Sequence, residues 1–168
     1  MNPGPGILPA PVMERIQKEF LDFKGLGIPW LHMSHRMREY MMVTEALEED
    51  FRAFMKIPDN FKCFLMNGGA ALQFAAIPQN LTGHLYGKGA AANYLMSGAW
   101  TYNASMEAQK FCHVNWVNRW TLPEVKNLEV QKTILDLENW QINKDAQYFY
   151  MCQNETIEGF EYDQATTR

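Results

Sequence analysis

The sequence predicts an α/β fold in which short strands alternate with helices and run parallel to one another. Three observations carry this. Residues 62–78 open with the apolar run Cys63 to Met66, break at Gly68-Gly69, and resume with Leu72, Phe74, Ala75 and Ile77 at helical spacing. Residues 93–97 read as a second short strand, and Gly98-Ala99-Trp100 then opens another helix. Residues 113–117 and the aromatic-rich run 147–152 add two further strands, separated by helical and polar stretches. Strands alternating with helices need crossover connections, and crossovers give parallel pairs.

Taken in order, residues 1–9 read as an extended arm, because Pro3, Pro5 and Pro9 with Gly4 and Gly6 exclude regular structure. Pro11 suits the first turn of a helix running to about Lys24, with Val12, Ile16, Phe20 and Phe23 near one face and Gly25 and Gly27 ending it. Residues 28–33 read as a short extended piece, and Ser34 is a candidate cap for a second helix over 36–55. Its apolar stripe is Tyr40, Val43, Leu47, Phe51 and Phe54; Glu45, Glu48, Glu49 and Asp50 form its solvated face. Ile57-Pro58-Asp59-Asn60 has turn chemistry. The helix after Gly68-Gly69 should end near Pro78, and Gly83, Gly87 and Gly89 mark a loop. The helix opened by Gly98 should reach about Phe111. Residues 119–137 are polar, with one helix expected around 128–137, and residues 154–159 read as a loop.

The 168 residues are enough for one domain with a sizeable core, and 47% apolar with 13% aromatic residues is a globular composition. A net charge of −4 without a basic run argues against nucleic acid as the main partner. No apolar stretch has the length that crosses a bilayer, and no basic segment followed by an apolar one marks a signal peptide. Cys63, Cys112 and Cys152 are widely spaced and read as reduced, buried thiols of a cytosol-like compartment. His32, His84 and His113 have no ligand-like spacing, so no metal site is expected.

In open α/β sheets, ligands sit outside the carboxyl ends of the strands. Gly68 to Ala71, Gly98 to Trp100 and Asn154 to Thr156 are all expected there. A glycine turn before a helix presents free N–H groups and a positive dipole end, which suits a phosphate. Pattern alone leaves two readings open: one shared site, or three ordinary turns.

Several segments occur in a particular order: Asn2-Pro3-Gly4-Pro5 with Leu8-Pro9, and Met33-Ser34-His35-Arg36 with Glu39. Asn67-Gly68-Gly69-Ala70-Ala71-Leu72-Gln73-Phe74 and Ile77-Pro78-Gln79-Asn80-Leu81 follow, then Gly98-Ala99-Trp100 and Asn154-Glu155-Thr156-Ile157-Glu158-Gly159. Together, in this order, they resemble the phosphoserine aminotransferases, pyridoxal-phosphate enzymes of the aspartate-aminotransferase fold type (fold type I). The resemblance implies the first half of the large mixed-sheet domain of such an enzyme, residues 16–168, preceded by an N-terminal arm, residues 1–15, that would join the small domain. It implies that Ala70 and Ala71 hold the cofactor phosphate through backbone N–H groups, that Trp100 stacks on the pyridine ring, and that Thr156 bonds the phenolic oxygen. Some relatives carry Ser or Arg at position 71, whereas Ala71 has no polar side chain. His35 and Arg36 resemble the binders of the substrate phosphate, which serve the other subunit of a homodimer.

Family chains are roughly twice this length. The resemblance places the Schiff-base lysine and the aspartate that pairs with the pyridine nitrogen beyond these residues, so this chain is expected to be inactive alone and its own binding of pyridoxal phosphate is doubtful. The full enzyme would exchange an amino group between phosphoserine plus 2-oxoglutarate and 3-phosphohydroxypyruvate plus glutamate, in serine biosynthesis. Its expected location is cytoplasmic, an organelle being the alternative. A short non-catalytic relative, serving as a structural subunit of a larger assembly, is the competing reading. Another family of the same fold type is a third, and Ser34-His35-Arg36 argues against it.

Overall fold

The structure, a computed structural model, describes residues 6–85, 88–134 and 136–162. The arm motif Asn2-Pro3-Gly4-Pro5, the loop residue Gly87, Leu135 within the expected helix 128–137, and the chain end at Arg168 lie outside the described residues. The chain resolves into two compact units, Met1–Leu65 and Met66–Arg168.

In the first unit, residues 6–9 have no regular structure, and α1 (Ala10–Glu19) starts with proline in its first turn, as expected. It stops well before Lys24. Asp22 is extended, Lys24, Gly25 and Gly27 take positive φ, and the Asp22 Oδ1 accepts the Gly27 N–H at 2.7 Å, which closes a tight loop in place of the last helical turn. Residues 28–33 are also not extended: Trp30–His32 form a 3-10 turn after Pro29, with the Trp30 ring stacked on Tyr40 at 5.3 Å. Ser34 caps no helix. Its Oγ accepts from the Arg36 N–H at 3.3 Å and its carbonyl from the Met37 N–H at 2.9 Å, so it closes a separate turn, and α2 (Arg38–Met55) begins two residues later than expected. The turn at 57–60 forms, with the Phe61 N–H on the Pro58 carbonyl at 3.1 Å, and Arg52 ties it to α2 through the Phe61 carbonyl at 3.0 Å.

The expected strand Cys63 to Met66 is not a strand: it joins no ladder among the described residues. Phe64 and Leu65 are 79% and 74% exposed. An apolar run specifies a strand only where a neighbour satisfies its backbone groups.

The second unit is built on a three-stranded parallel sheet in the order β2-β1-β3, with β1 (Ala91–Tyr94), β2 (His113–Trp116) and β3 (Tyr148–Tyr150). The parallel α/β class is as expected from the sequence. β1 lies two residues earlier than the strand expected at 93–97, because its register is set by both neighbours: Ala92 faces Val114 on one side and Tyr148 on the other. All four of its residues are buried. α3 (Gly69–Thr82) runs through Pro78 for a further turn. Pro78 is buried, and the Thr82 Oγ1 donates to its carbonyl at 2.6 Å. α3 packs along α4 (Ala99–Ala108), which ends three residues before Phe111. α5 (Leu128–Thr133) is capped by Asn127, whose side chain accepts the Glu129 N–H at 2.9 Å. The expected loop after β3 is instead a small antiparallel hairpin, β4 (Asn154–Glu155) with β5 (Phe160–Glu161).

Two apolar clusters enclose the sheet. Ala92, Tyr94, Ala104 and Ala108 pack with Phe74 of α3 in one; Leu95, Met96, Val117, Val125, Ile134 and Tyr162 form the other. Leu95 donates to the Tyr150 carbonyl at 3.0 Å, so β1 and β3 stay joined right up to the residues that lead into Gly98 and into the hairpin. That places the start of α4 and β4 side by side beyond the carboxyl ends of adjacent strands.

Candidate functional site

Trp100 and Thr156 meet there. The indole Nε1–H donates to the Thr156 Oγ1 at 2.8 Å across 56 residues of sequence. Trp100 is half-buried and Thr156 is exposed, so one face of this corner is open to a ligand. A hydroxyl that accepts the indole proton keeps its own proton to donate elsewhere. A flat ring against Trp100 with an oxygen near Thr156 would satisfy both groups.

What holds Trp100 in place is a residue that the sequence did not single out. Glu155 is fully buried, and its carboxylate takes the Trp100 N–H at 2.8 Å, the Thr101 N–H at 2.9 Å, the Ser97 hydroxyl at 3.0 Å and the Thr101 hydroxyl. The Glu158 Oε2 takes the Ala99 N–H at 3.2 Å. All three leading N–H groups of α4 are thus satisfied by acidic side chains from the hairpin, which also complement the helix dipole. The approach is close: a side chain on Gly98 would put its Cβ 2.6 Å from the Glu158 Oε2 and 2.8 Å from the Glu155 Cδ. No local pattern signals this cap, because Glu155 and its partners are 54 to 58 residues apart.

The N-terminus of α3 is the opposite case. Gly68 caps it at φ 96°, and among the described residues nothing accepts from the N–H groups of Gly69, Ala70 and Ala71. Ala70 and Ala71 are exposed, as the reading of a phosphate turn requires. The N-termini of α3 and α4 therefore lie in one unit, that of α4 filled by carboxylates and that of α3 open. An anion is favoured at α3 and repelled from α4.

His35 and Arg36 belong to the first unit and sit in the turn before α2; both are exposed. Their ion-pairing groups have no partner within hydrogen-bond reach among the described residues, which leaves the Arg36 fork free for an anionic ligand. Beneath the Trp100 corner, burial pushes the thiol of Cys152 up, as it does that of Cys112, and these stay protonated. The three cysteines are free. Among the described residues no group of three or more His, Cys, Asp and Glu is placed to hold a metal ion, and no helix is long and apolar enough to cross a membrane.

The family model described as aminotransferase class-V matches residues 1–166. The phosphoserine aminotransferase of Acinetobacter baylyi is 37% identical over 159 residues, which is 95% of this chain and 42% of that protein. A solved phosphoserine aminotransferase from Bacillus circulans subsp. alkalophilus superposes with a TM-score of 0.76 at 32% identity, over 96% of this chain and 42% of that one. A phosphoserine aminotransferase from Trichomonas vaginalis, described as PLP bound, gives a TM-score of 0.73 at 30% identity, over 94% and 42%. The chain thus spans well under half the length of these relatives.

Proposed function

The chain belongs to the aminotransferase class-V family, and from that premise we propose that it is the N-terminal part of a phosphoserine aminotransferase. The exchange is between phosphoserine plus 2-oxoglutarate and 3-phosphohydroxypyruvate plus glutamate, a step of serine biosynthesis. Residues 1–15 are the arm that joins the small domain, and residues 16–168 the first part of the large cofactor-binding domain. The observation that carries the reading is the Trp100–Thr156 bond at the carboxyl end of the parallel sheet, in the same unit as the open N-terminus of α3.

The residues present fit pyridoxal phosphate. Ala70 and Ala71 offer two backbone N–H groups and a helix dipole to its phosphate. Trp100 offers a ring face, and Thr156 a hydroxyl proton for the phenolic oxygen. Ala71 adds no side-chain donor, so the phosphate gains a further partner from another part of the protein. When bound, the cofactor supplies the electron sink for amino-group transfer. Glu155 and Glu158 keep the phosphate away from α4. His35 and Arg36 bind the substrate phosphate of the neighbouring subunit in a cytoplasmic homodimer, Arg36 by a planar fork and His35 by one further donor.

The test is the protein expressed at the full length its gene encodes. It should form glutamate from phosphoserine and 2-oxoglutarate, and dialysis against a carbonyl reagent should abolish this until pyridoxal phosphate is restored. A full-length protein that binds no pyridoxal phosphate and transfers no amino group would instead be the structural subunit that the sequence left as the alternative.

A further inference from the structure

We propose that Glu155 is a positioning residue for the ring-binding pair: its buried carboxylate fastens the first turn of α4 to the hairpin that carries Thr156, and so sets Trp100 and Thr156 against each other. The inference rests on the reading of Trp100 and Thr156 as cofactor-binding groups.

Consecutive residues grip the two ends of Trp100. The Glu155 Oε2 holds its backbone N–H at 2.8 Å, and the Thr156 Oγ1 holds its indole N–H at 2.8 Å. Glu155 is itself fixed from behind. Its backbone pairs with Phe160 in the hairpin, its carbonyl accepts the Gly159 N–H at 2.9 Å, and the Tyr162 N–H closes on the Gln153 carbonyl at 2.9 Å. The hairpin thus has one position relative to α4, and both side chains of the pair inherit it. A carboxylate so buried is tolerable only because four donors and a helix dipole face it. An amide in its place supplies one acceptor oxygen and turns a donor towards N–H groups that already donate.

The experiment titrates the cofactor-free, full-length protein with pyridoxal 5′-phosphate, following tryptophan quenching and the circular dichroism of the bound ring in the visible. Glu155→Gln should weaken binding about tenfold to a hundredfold, the worth of a charge-assisted bond, and diminish the visible dichroism while the far-ultraviolet spectrum is kept. In a Thr156→Val background the same substitution should change affinity far less, because the pair it positions is already broken. Wild-type affinity and dichroism in Glu155→Gln would overturn the proposal, as would an effect that adds in full to that of Thr156→Val, which marks a cap with no link to the ring. Should Glu155→Gln fail to fold, Ser97→Ala removes one of the four donors and carries the same cycle, with an expected loss of about twofold to tenfold. A wild-type protein that binds no pyridoxal 5′-phosphate refutes the cofactor reading itself, a result distinct from any of these.

Discussion

Gly68 shows how one residue is confined by its surroundings. Its φ of 96° lies where side chains are strained, and a Cβ there would come within 2.6 Å of the Leu72 Cβ, an atom held by the helix. Gly68→Ala should therefore lower stability by about 1–3 kcal/mol, read as a reduced denaturant midpoint at constant slope. It should also tilt the first turn of α3 and weaken whatever anion sits on it. Arg36 is the other informative single residue, since its exposed fork has no carboxylate partner among the described residues. On the proposed function, Arg36→Ala in the full-length protein should raise KM for phosphoserine about tenfold to a hundredfold, as expected for a lost charged donor. A non-phosphorylated amino donor should be nearly unaffected. Equal loss for both donors would mean that the phosphate is held by other residues.

At the scale of elements, the sheet carries its chemistry in a row of phenols. Tyr94 bonds the Tyr148 hydroxyl at 2.9 Å, and its ring stacks on Tyr150 at 4.7 Å. Burial lifts the Tyr94 phenol from its ordinary 10.0 to about 12, against a smaller lowering by the Tyr148 bond. Burial raises Tyr148 and Tyr150 as well. Above pH 10 the unfolded chain loses these protons while the folded sheet keeps them, so the unfolded state binds fewer protons and stability falls with rising pH. The contribution is complete below about pH 10 and is lost as pH climbs through about 12. An alkaline titration of the full-length protein should show tyrosinate absorbance lagging behind free tyrosine and then rising together with the loss of helix. Free-tyrosine behaviour with the fold intact would show that the phenols are solvated. Cys112 and Cys152, raised by burial, should likewise react slowly with thiol reagents until the sheet opens.

For the whole molecule, the informative feature is the apolar surface left open. Met41, Met42, Leu47, Phe51, Phe54 and Met55 of α2 are each 45% exposed or more, and Val12, Met13, Ile16 and Phe20 in and beside α1 are similarly open. A groove of about 820 Å³ between α2 and residues 56–65 is lined by Phe51, Met55, Phe61 and Phe64. Apolar area on this scale is unusual for a chain that stands alone in water. The 168 residues expressed by themselves should self-associate, bind an apolar dye, and turn over no substrate. A soluble, dye-free monomer that unfolds cooperatively would reverse this expectation.

The sequence by itself determined what neighbours in the chain can settle. The Pro58 turn, the cores of α2 and α4, and β2 are set by periodicity, turn residues and glycine breaks within a few positions of one another, and the structure has them nearly as read. Trp100 and Thr156 were singled out through the family's motifs, not through any property of their own, and the structure joins them by a hydrogen bond. Tertiary structure decided the rest. It moved β1 two residues, because register belongs to three strands at once. It carried α3 past Pro78, because packing on α4 outweighs one missing N–H. It left residues 62–66 out of any ladder among the described residues, because a strand is a relation between segments. It also placed the Glu155 carboxylate under Trp100 from more than fifty residues away. Periodicity encodes which face of an element is apolar; it carries no information about which distant acid will satisfy a helix's first N–H groups, since that contact exists only once the sheet has brought the two strand ends together.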